Sequence, residues 1–325
     1  MAMTTLKNSK GFWLSIVLAL IFFGIMQYTI SNGILNPFYI NTLMFIGINI
    51  MLATSLHLII GITGQFSIGH AGFLAVGAYA SAVMTMKLEL PFIIAVLTGG
   101  VIAAVAGMVI GIPSLRLKGD YLAIATLGFG EIVRIVLLNI EYVGGASGMQ
   151  VSHLTTWPWV FACVMITVLV IRNFTNSTHG RACISVREDE TAADAMGINT
   201  TYYKVAAFVI GAFFAGIAGS LYAHNFYIIQ PSNFGFLKSF DILIFVVLGG
   251  LGSLSGSVLA AILLTIVTTF LQDYPETRMI IYSLVLILMM IFRPQGLMGT
   301  KEITSLFTHK KTKGGPKDGS HNTVA

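Results

Sequence analysis

Residues 91–113 read PFIIAVLTGGVIAAVAGMVIGIP and carry no charged side chain. A transmembrane helix needs about 20 consecutive apolar residues, so this stretch predicts a helix that crosses a bilayer. Similar runs occur along the whole chain, and they predict ten spans: 12–30, 38–60, 66–86, 91–113, 121–138, 157–172, 204–224, 239–252, 254–272 and 278–293. We therefore expect an all-α polytopic membrane protein with about ten transmembrane helices.

The composition of the 325-residue chain agrees with this expectation. Hydrophobic residues make up 56% and charged residues 10%, whereas soluble domains average about 25% charged residues. This balance excludes a soluble enzyme, a disordered protein and a secreted disulfide scaffold. Cys163 lies in an apolar run and Cys183 in a polar loop, so the two are not expected to pair. The net charge of +5 is attributed to cytoplasmic loops rather than to nucleic-acid binding.

Lysines and arginines are distributed unevenly between the predicted loops. If the N-terminus is cytoplasmic and the chain crosses ten times, fourteen of them fall inside and three outside: Lys87, Lys238 and Arg278. Positive residues favour the cytoplasmic side, so both termini are predicted to be cytoplasmic. A single transmembrane domain is predicted over 1–300, with a cytoplasmic loop over about 173–203. Residues 301–325 are lysine-rich with few apolar residues, which predicts a disordered cytoplasmic tail.

The loop between the sixth and seventh spans, residues 173–203, is predicted to contain one short helix. Ser185 and Glu188 have the spacing of a capping box, and Gly197 stands where a glycine often ends a helix. A small apolar face would lie opposite polar residues; it consists of Ala192, Ala193 and Met196. The helix is interpreted as a docking element for a cytoplasmic partner or as a solvated connector.

Four stretches resemble the LivM-type permease subunits of branched-chain amino acid ABC transporters. They are 64–73 (GQFSIGHAGF), 117–128 (LKGDYLAIATLG), 180–190 (GRACISVREDE) and 247–256 (VLGGLGSLSG). The resemblance implies a multi-pass protein of the cytoplasmic (inner) membrane of a prokaryote that imports leucine, isoleucine and valine by alternating access. It also implies three kinds of partner: a second homologous permease subunit, two cytoplasmic ATP-binding subunits and an extracytoplasmic solute-binding protein.

Two alternatives stay open beside that function. One is an importer of urea, short amides or another amino acid, because the binding protein would screen the solutes. The other is a secondary transporter that works alone. The chain contains no Gly-Lys dipeptide and so no phosphate-binding Walker A loop, which favours an ATPase on a separate subunit.

The resemblance places the contact with that ATPase in the loop helix. The residues concerned are Gly180, Arg181, Arg187, Glu188, Asp189, Glu190, Ala192, Ala193, Met196 and Gly197. The sequence contains neither a catalytic constellation nor a metal-ligand motif, so we expect no enzymatic activity, no metal and no cofactor in this subunit.

Glycine-rich segments interrupt the apolar pattern at two junctions, 61–70 and 249–256. Irregular backbone at membrane depth is tolerated only against protein or a water-filled cavity, and paired interruptions indicate an internal repeat and a translocation path. The candidate path residues are Gln65, Ser67, Gly69, His70, Gly250, Gly252 and Ser253. The alternative is close helix packing through small residues.

Two opposite charges lie within the predicted fifth span. Glu131 and Arg134 are three residues apart and share a helix face. Ionisable groups inside a membrane usually face the protein interior and are paired. The spacing therefore predicts a structural ion pair, with a role in gating or substrate binding as the alternative.

Overall fold

The computed structural model describes residues 9–114, 117, 119–271 and scattered positions between 274 and 299, with side chains from residue 17 onward. The α-helices of this part of the chain are α1 (Ser9–Ser31), α2 (Pro37–His57), α3 (His70–Met86), α4 (Phe92–Ser114), α5 (Asp120–Asn139), α6 (Trp157–Asn176), α7 (Thr178–Glu188), α8 (Glu190–Ala195), α9 (Thr200–Ala223), α10 (Phe236–Gly249) and α11 (Leu254–Phe270). Two short strands, β1 (Met149–Gln150) and β2 (Ile228–Ile229), pair antiparallel, with Met149 opposite Ile229.

Six helical segments in the described residues are long and apolar enough to cross a bilayer: Pro37–Ile62, Pro231–Gly249, α4, α5, α6 and α9. Three shorter apolar helices accompany them: Val17–Ser31, α3 and α11. These helices confirm an all-α polytopic fold. The predicted span 278–293 falls largely, and the tail 301–325 entirely, outside the described residues. The count of ten spans and the cytoplasmic placement of both termini therefore stay predictions.

The core of the bundle forms where α3, α4 and α9 pack together and α2 packs against α9. Small residues permit this close approach, since a Cβ atom on Gly77 would overlap the backbone of Gly216. Phe73 fills the adjoining space, and its ring centroid lies 5.5 Å from that of Phe208. Helices inside membranes commonly pack through small residues in this way.

The loops gather at two ends of the bundle. The loop-helix end holds α7 and α8, and there Arg187 donates a hydrogen bond to the carbonyl of Gly61. The hairpin end holds β1 and β2, and there Asn225 donates to Asn41 at 2.7 Å. The charge pattern of the loops predicts that the loop-helix end is cytoplasmic.

A broken segment connects α2 to α3. The end of α2 is a single π-helical turn, Leu58–Ile62. Residues 64–69 form neither helix nor strand, and Gln65, Ser67 and Gly69 are buried. This segment returns into the bundle, where the Ile68 N–H donates to the hydroxyl of Thr126 in α5 at 3.1 Å. The helix α3 therefore begins inside the bundle and runs to the hairpin end. The irregular backbone that precedes it lies at the glycine-rich junction predicted for 61–70.

A second break precedes α10, and the helix that follows it runs in the opposite direction to α3. Residues 224–235 turn back from the hairpin end, and α10 begins beside α5, where Phe236 N–H donates to Glu131 at 2.9 Å. At 14 residues, α10 is about 21 Å long and runs to the loop-helix end. The glycine-rich segment 249–256, predicted as the second interruption at the junction of the eighth and ninth spans, lies at the junction of α10 and α11. The break before α10 was not predicted.

Residues 173–203 form two helices, α7 and α8, where the sequence predicts one. Ser185 lies inside α7, and its hydroxyl donates to the carbonyl of Ala182 at 2.8 Å. The predicted capping box with Glu188 is therefore wrong, because Ser185 does not precede a first turn. Its hydroxyl bonds to the backbone of the helix that contains it. The helix α8 is capped by Asp189, whose carboxylate accepts two backbone N–H groups of its first turn.

The predicted apolar face of this loop is divided between the interior and the surface. Ala193 is 4% exposed, whereas Ala192 is exposed and Met196 is 82% exposed. Gly197 follows α8 with a φ angle of 84°, which agrees with its predicted place at the end of a helix. Of the three apolar residues, only Ala192 and Met196 are exposed.

Candidate functional site

The first turns of α3 and α10 meet beside the middle of α5. The N–H of Ala71 in α3 donates to the hydroxyl of Ser239 in α10 at 3.2 Å. The residues that precede the two helices, Gly69 and Gly235, have no side chain that could cap them. Helix N-termini carry partial positive charge and unsatisfied N–H groups, so this junction favours negatively charged groups.

Glu131 of α5 supplies such a group. One carboxylate oxygen accepts the N–H of Phe236, the first residue of α10, at 2.9 Å. The other oxygen lies 2.7 Å from Nε of Arg134, and the two side chains are 28% and 29% exposed. The ion pair expected from their spacing is formed, and its carboxylate also stabilises the N-terminus of α10.

Two polar cavities lie beside this junction. We name the larger one the arginine cavity; its volume is 670 Å³, and it is lined by Glu131, Arg134, Tyr222, Ser232, Asn233, Gly235, Phe236, Leu237, Lys238 and Asp241. We name the smaller one the threonine cavity; its volume is 270 Å³, and it is lined by Phe38, Asn41, Thr42, Phe45, Asn49, Lys238, Asp241, Phe245, Thr265, Thr268 and Thr269. Lys238 and Asp241 belong to both, so the two cavities adjoin.

A third cavity, an apolar groove of 660 Å³, is formed by α4, α6 and α9. Its walls are almost entirely hydrocarbon, and Phe92, Trp159 and Phe213 are among them. A charged solute would lose its hydration there without finding polar partners. The polar cavities are therefore the better candidates for a site that binds a charged molecule.

Four of the predicted path residues are buried beside the start of α3 and line none of these three cavities: Gln65, Ser67, Gly69 and His70. The ring of His70 is held by Ser55, with Nε2 2.8 Å from its hydroxyl oxygen. Gly69 has a packing explanation, because a Cβ atom there would overlap the backbone of α5. A role of these residues in the path stays a prediction.

The other three predicted path residues lie in the turn between α10 and α11. Ser253 caps α11, since its hydroxyl accepts the N–H of Gly256 at 3.1 Å. Gly250 has a φ angle of 105°, which side-chain-bearing residues rarely adopt, and Gly252 is exposed. The turn geometry explains Gly250 and Ser253, and none of the three lines a polar cavity.

Arg187 joins α7 to the broken segment at the loop-helix end. Its Nη1 donates to the carbonyl of Gly61 in the π-helical turn at 2.6 Å. Its aliphatic part lies against Gly64, where a Cβ atom would come within 2.7 Å of Cγ of Arg187. Arg187 also pairs with Glu188. A displacement of α7 would therefore reach the segment that leads into α3.

Other residues of the predicted ATPase contact have structural roles in the loop. Gly180 is buried, and a Cβ atom there would overlap the end of α6. Glu190 ties α8 to α9 through a 2.6 Å ion pair with Lys204, and Arg181 is exposed and bonds to Thr178. Burial raises the pKa of the Cys183 thiol to about 11, which makes it a poor nucleophile.

Comparison with known proteins identifies the kind of protein to which this site belongs. Residues 38–292 match the family described as branched-chain amino acid transport system / permease component. The chain belongs to this family. It is similar to the high-affinity branched-chain amino acid transport system permease protein LivM of Salmonella typhimurium and of Escherichia coli, each 37% identical and aligned over 77% of this chain and 68% of the relative.

A second kind of permease is also similar to the chain. The LivH permease protein of Salmonella typhimurium is 25% identical, over 78% of this chain and 92% of the relative. No solved structure matches significantly. The family membership and the described fold agree, because both give a multi-helix membrane protein. The described residues of this permease contain no group of three or more His, Cys, Asp or Glu side chains that could hold a metal ion.

The asparagines and threonines of the threonine cavity were missed by the sequence analysis. The sequence pattern that could have indicated them is the occurrence of polar side chains inside apolar runs: Asn41 and Asn49 in α2, and Thr265, Thr268 and Thr269 in α11. Thr268 and Thr269 follow Thr265 by three and four positions, so all three lie on one helix face. Lys238 was assigned to a loop by the charge count, but it lies in the first turn of α10.

Proposed function

We propose that this permease is the membrane-spanning subunit of an ATP-binding-cassette importer of branched-chain amino acids in the cytoplasmic membrane. Its partners would be a second homologous permease subunit, two ATP-binding subunits on the cytoplasmic side and an extracytoplasmic solute-binding protein. The observation that carries the proposal is the match of residues 38–292 to the permease family. The subunit would leave ATP hydrolysis to its partners.

The contacts of Arg187 support a coupling role for the loop helices. ATP-driven movement of the partner subunits would displace α7 and α8, whose exposed residues include Met196. The bond from Arg187 to Gly61 would carry that displacement to the broken segment 64–69. Because this segment ends at the start of α3, the junction between α3 and α10 would respond.

Opposed half-helices support a path at that junction. Transporters commonly bind solutes where discontinuous helices from two inverted halves meet, because the helix ends leave backbone groups available. Both polar cavities of this permease lie at the hairpin-end side of the junction, between the beginnings of α2 and α10 and the end of α11. We take this arrangement as the outward-open half of an alternating-access cycle.

Uptake by the reconstituted transporter tests the proposal. The permease should be co-expressed with its candidate partners, placed in proteoliposomes with ATP inside, and supplied with binding protein and radiolabelled leucine outside. We expect ATP-dependent uptake that persists when ionophores collapse the ion gradients and that isoleucine and valine inhibit. Inhibition by urea or acetamide, without inhibition by isoleucine or valine, would assign a different substrate. Uptake abolished by ionophores alone would indicate a secondary transporter.

A further inference from the structure

The threonine wall of the threonine cavity offers hydrogen-bond acceptors and few donors. Thr265 donates its hydroxyl hydrogen to the carbonyl of Ala261 at 2.6 Å. Thr268 and Thr269 donate theirs to the carbonyl of Thr265, at 2.9 Å and 2.8 Å. A threonine hydroxyl has one hydrogen and two lone pairs, so these oxygens can accept from a ligand but have no hydrogen left to give it.

Asn49 adds a buried acceptor to this wall. It is 6% exposed, and its amide nitrogen donates to the hydroxyl of Thr265 at 2.9 Å. Its Oδ1 is fully buried and has no hydrogen-bond partner among the described residues. Leaving such a group unsatisfied is unfavourable. Asn49 lines the cavity, so a small rotation of its amide would let a ligand donate to Oδ1 and remove this cost. The carboxylate of Asp241 lines the same cavity.

The remaining walls supply a cation and an apolar surface. Lys238 is the one basic residue among those that line the cavity, and the rings of Phe38, Phe45 and Phe245 cover another side. The volume of 270 Å³ is just below the range of about 300–1,000 Å³ that is usual for small-molecule sites. The cavity therefore suits a single small solute with both charges and a hydrocarbon part.

We propose that the threonine cavity binds one zwitterionic amino acid with an apolar side chain. Its α-ammonium group would donate to Asn49, Thr265 and Asp241, its carboxylate would face Lys238, and its side chain would lie on the phenylalanine rings. Urea and short amides carry no charge for the two ends of this site to recognise. The proposal rests on the proposed function, since the cavity would be a substrate-binding site along the transport path.

Protection of a cysteine in the cavity tests the site directly. Thr268→Cys would be made in a chain without Cys163 and Cys183, assembled with its partners, and labelled with a maleimide in the presence of L-leucine. Isopentylamine, which has only the ammonium group, and 4-methylpentanoate, which has only the carboxylate, serve as probes of each charge. We expect leucine to slow labelling and each analogue to need a concentration about tenfold higher or more, because a hydrogen bond to a charged group is lost.

Two further variants test whether the protection depends on the hydrogen-bond acceptors of the cavity. Asn49→Leu, of similar size, and Thr265→Val, of the same shape, should each raise the leucine concentration for half-protection by about tenfold or more. Asn139→Leu is the matched control, because Asn139 bonds to its own helix and lines neither polar cavity. Protection that is unchanged in both cavity variants would overturn the site.

Uptake of leucine by the same complexes separates the two proposals. Complexes that transport leucine but leave the cysteine unprotected would overturn the site while the proposed function stands. Protection in complexes that transport no leucine would support the site and overturn the proposed function. Equal protection by leucine, isopentylamine and 4-methylpentanoate would overturn the recognition of both charges.

Discussion

The guanidinium of Arg187 and the carbonyl of Gly61 are separated by 126 residues in the chain and by 2.6 Å in the structure. Gly61 belongs to the π-helical turn that ends α2, and π-helical turns occur frequently at functional sites. Arg187 belongs to a helix outside the predicted spans. The bond therefore connects the loop helices to the backbone break that precedes α3.

Replacing Arg187 with methionine should uncouple transport from ATP hydrolysis. The aliphatic part of the side chain would be kept, but the charged hydrogen bond to Gly61 would be lost. We expect leucine uptake per ATP hydrolysed to fall by about tenfold, since such a bond contributes about 1.5–3 kcal/mol. The control is Lys87→Met at the hairpin end, where an exposed lysine loses only its contact with the ring of Tyr142. Equal losses in the two variants would contradict a coupling role.

Gly64→Ala should destabilise the same connection from the other side. The φ angle of Gly64 is 70°, a conformation that costs an L-residue about 1–2 kcal/mol, and the added Cβ would press on Arg187. We expect a lower melting temperature and reduced uptake. Gly128→Ala is the matched control, because nothing lies within 4 Å of a Cβ there; in a helix it should gain about 0.5–1 kcal/mol. Similar melting temperatures for the two variants would refute this explanation of Gly64.

The six long apolar helices of the described residues were predictable because they depend on local composition. The breaks were less predictable because they depend on contacts. The fifth-span charges were paired correctly, since helical spacing alone brings Glu131 and Arg134 together. The start of α10 depends on a bond from Phe236 to Glu131, 105 residues away, and no local pattern encodes such a contact.

Two neighbouring capping residues explain the error in the loop 173–203. Ser185 and Asp189 both have side chains that can accept backbone N–H groups. In the structure Asp189 adopts an extended conformation with φ of −156° and begins α8, while Ser185 stays helical within α7. Sequence spacing alone could not choose between them. The threonine cavity was missed for a different reason, since its walls come from α2, α10 and α11.

Met196→Glu should weaken binding of the ATP-binding subunits. Met196 is 82% exposed on the loop-helix end, where a partner would cover it, and a buried unpaired carboxylate is unfavourable. Ala193, buried in the permease itself, is unsuitable for this test. We expect loss of ATPase co-purification with normal membrane insertion. Tyr227→Glu, at an exposed position of the hairpin end, should retain the ATPase. Equal retention by both variants would place the contact elsewhere.

Variants of Glu131 should separate its two interactions. Glu131→Gln removes the charge that pairs with Arg134 but keeps an oxygen for the N–H of Phe236, whereas Glu131→Ala removes both. The partly exposed ion pair should contribute at most about 1 kcal/mol, and the capping interaction about 1 kcal/mol more. We expect thermal unfolding in detergent to occur at the lowest temperature for the alanine variant. A glutamine variant as unstable as the alanine variant would show that the cap contributes nothing.

Cys183 should react with thiol reagents only slowly and with an unusual pH dependence. Its side chain is fully buried, and this burial raises the pKa of the thiol to about 11. The thiolate is the reactive form, so at pH 8 its population should be roughly 200-fold below that of an ordinary thiol with a pKa of about 8.5. In a Cys163→Ala background, the labelling rate should continue to rise about tenfold per unit between pH 9 and pH 10. Met196→Cys, in a chain without either native cysteine, is the exposed control, and its rate should level off near pH 9.

The raised pKa of Cys183 also makes stability depend on pH. The unfolded chain loses the thiol proton at a lower pH than the folded chain, so the contribution of Cys183 to the free energy of unfolding should decline as the pH rises above about 9. A Cys183 rate that levels off together with that of the control would show that the thiol is accessible and α7 is not packed as described.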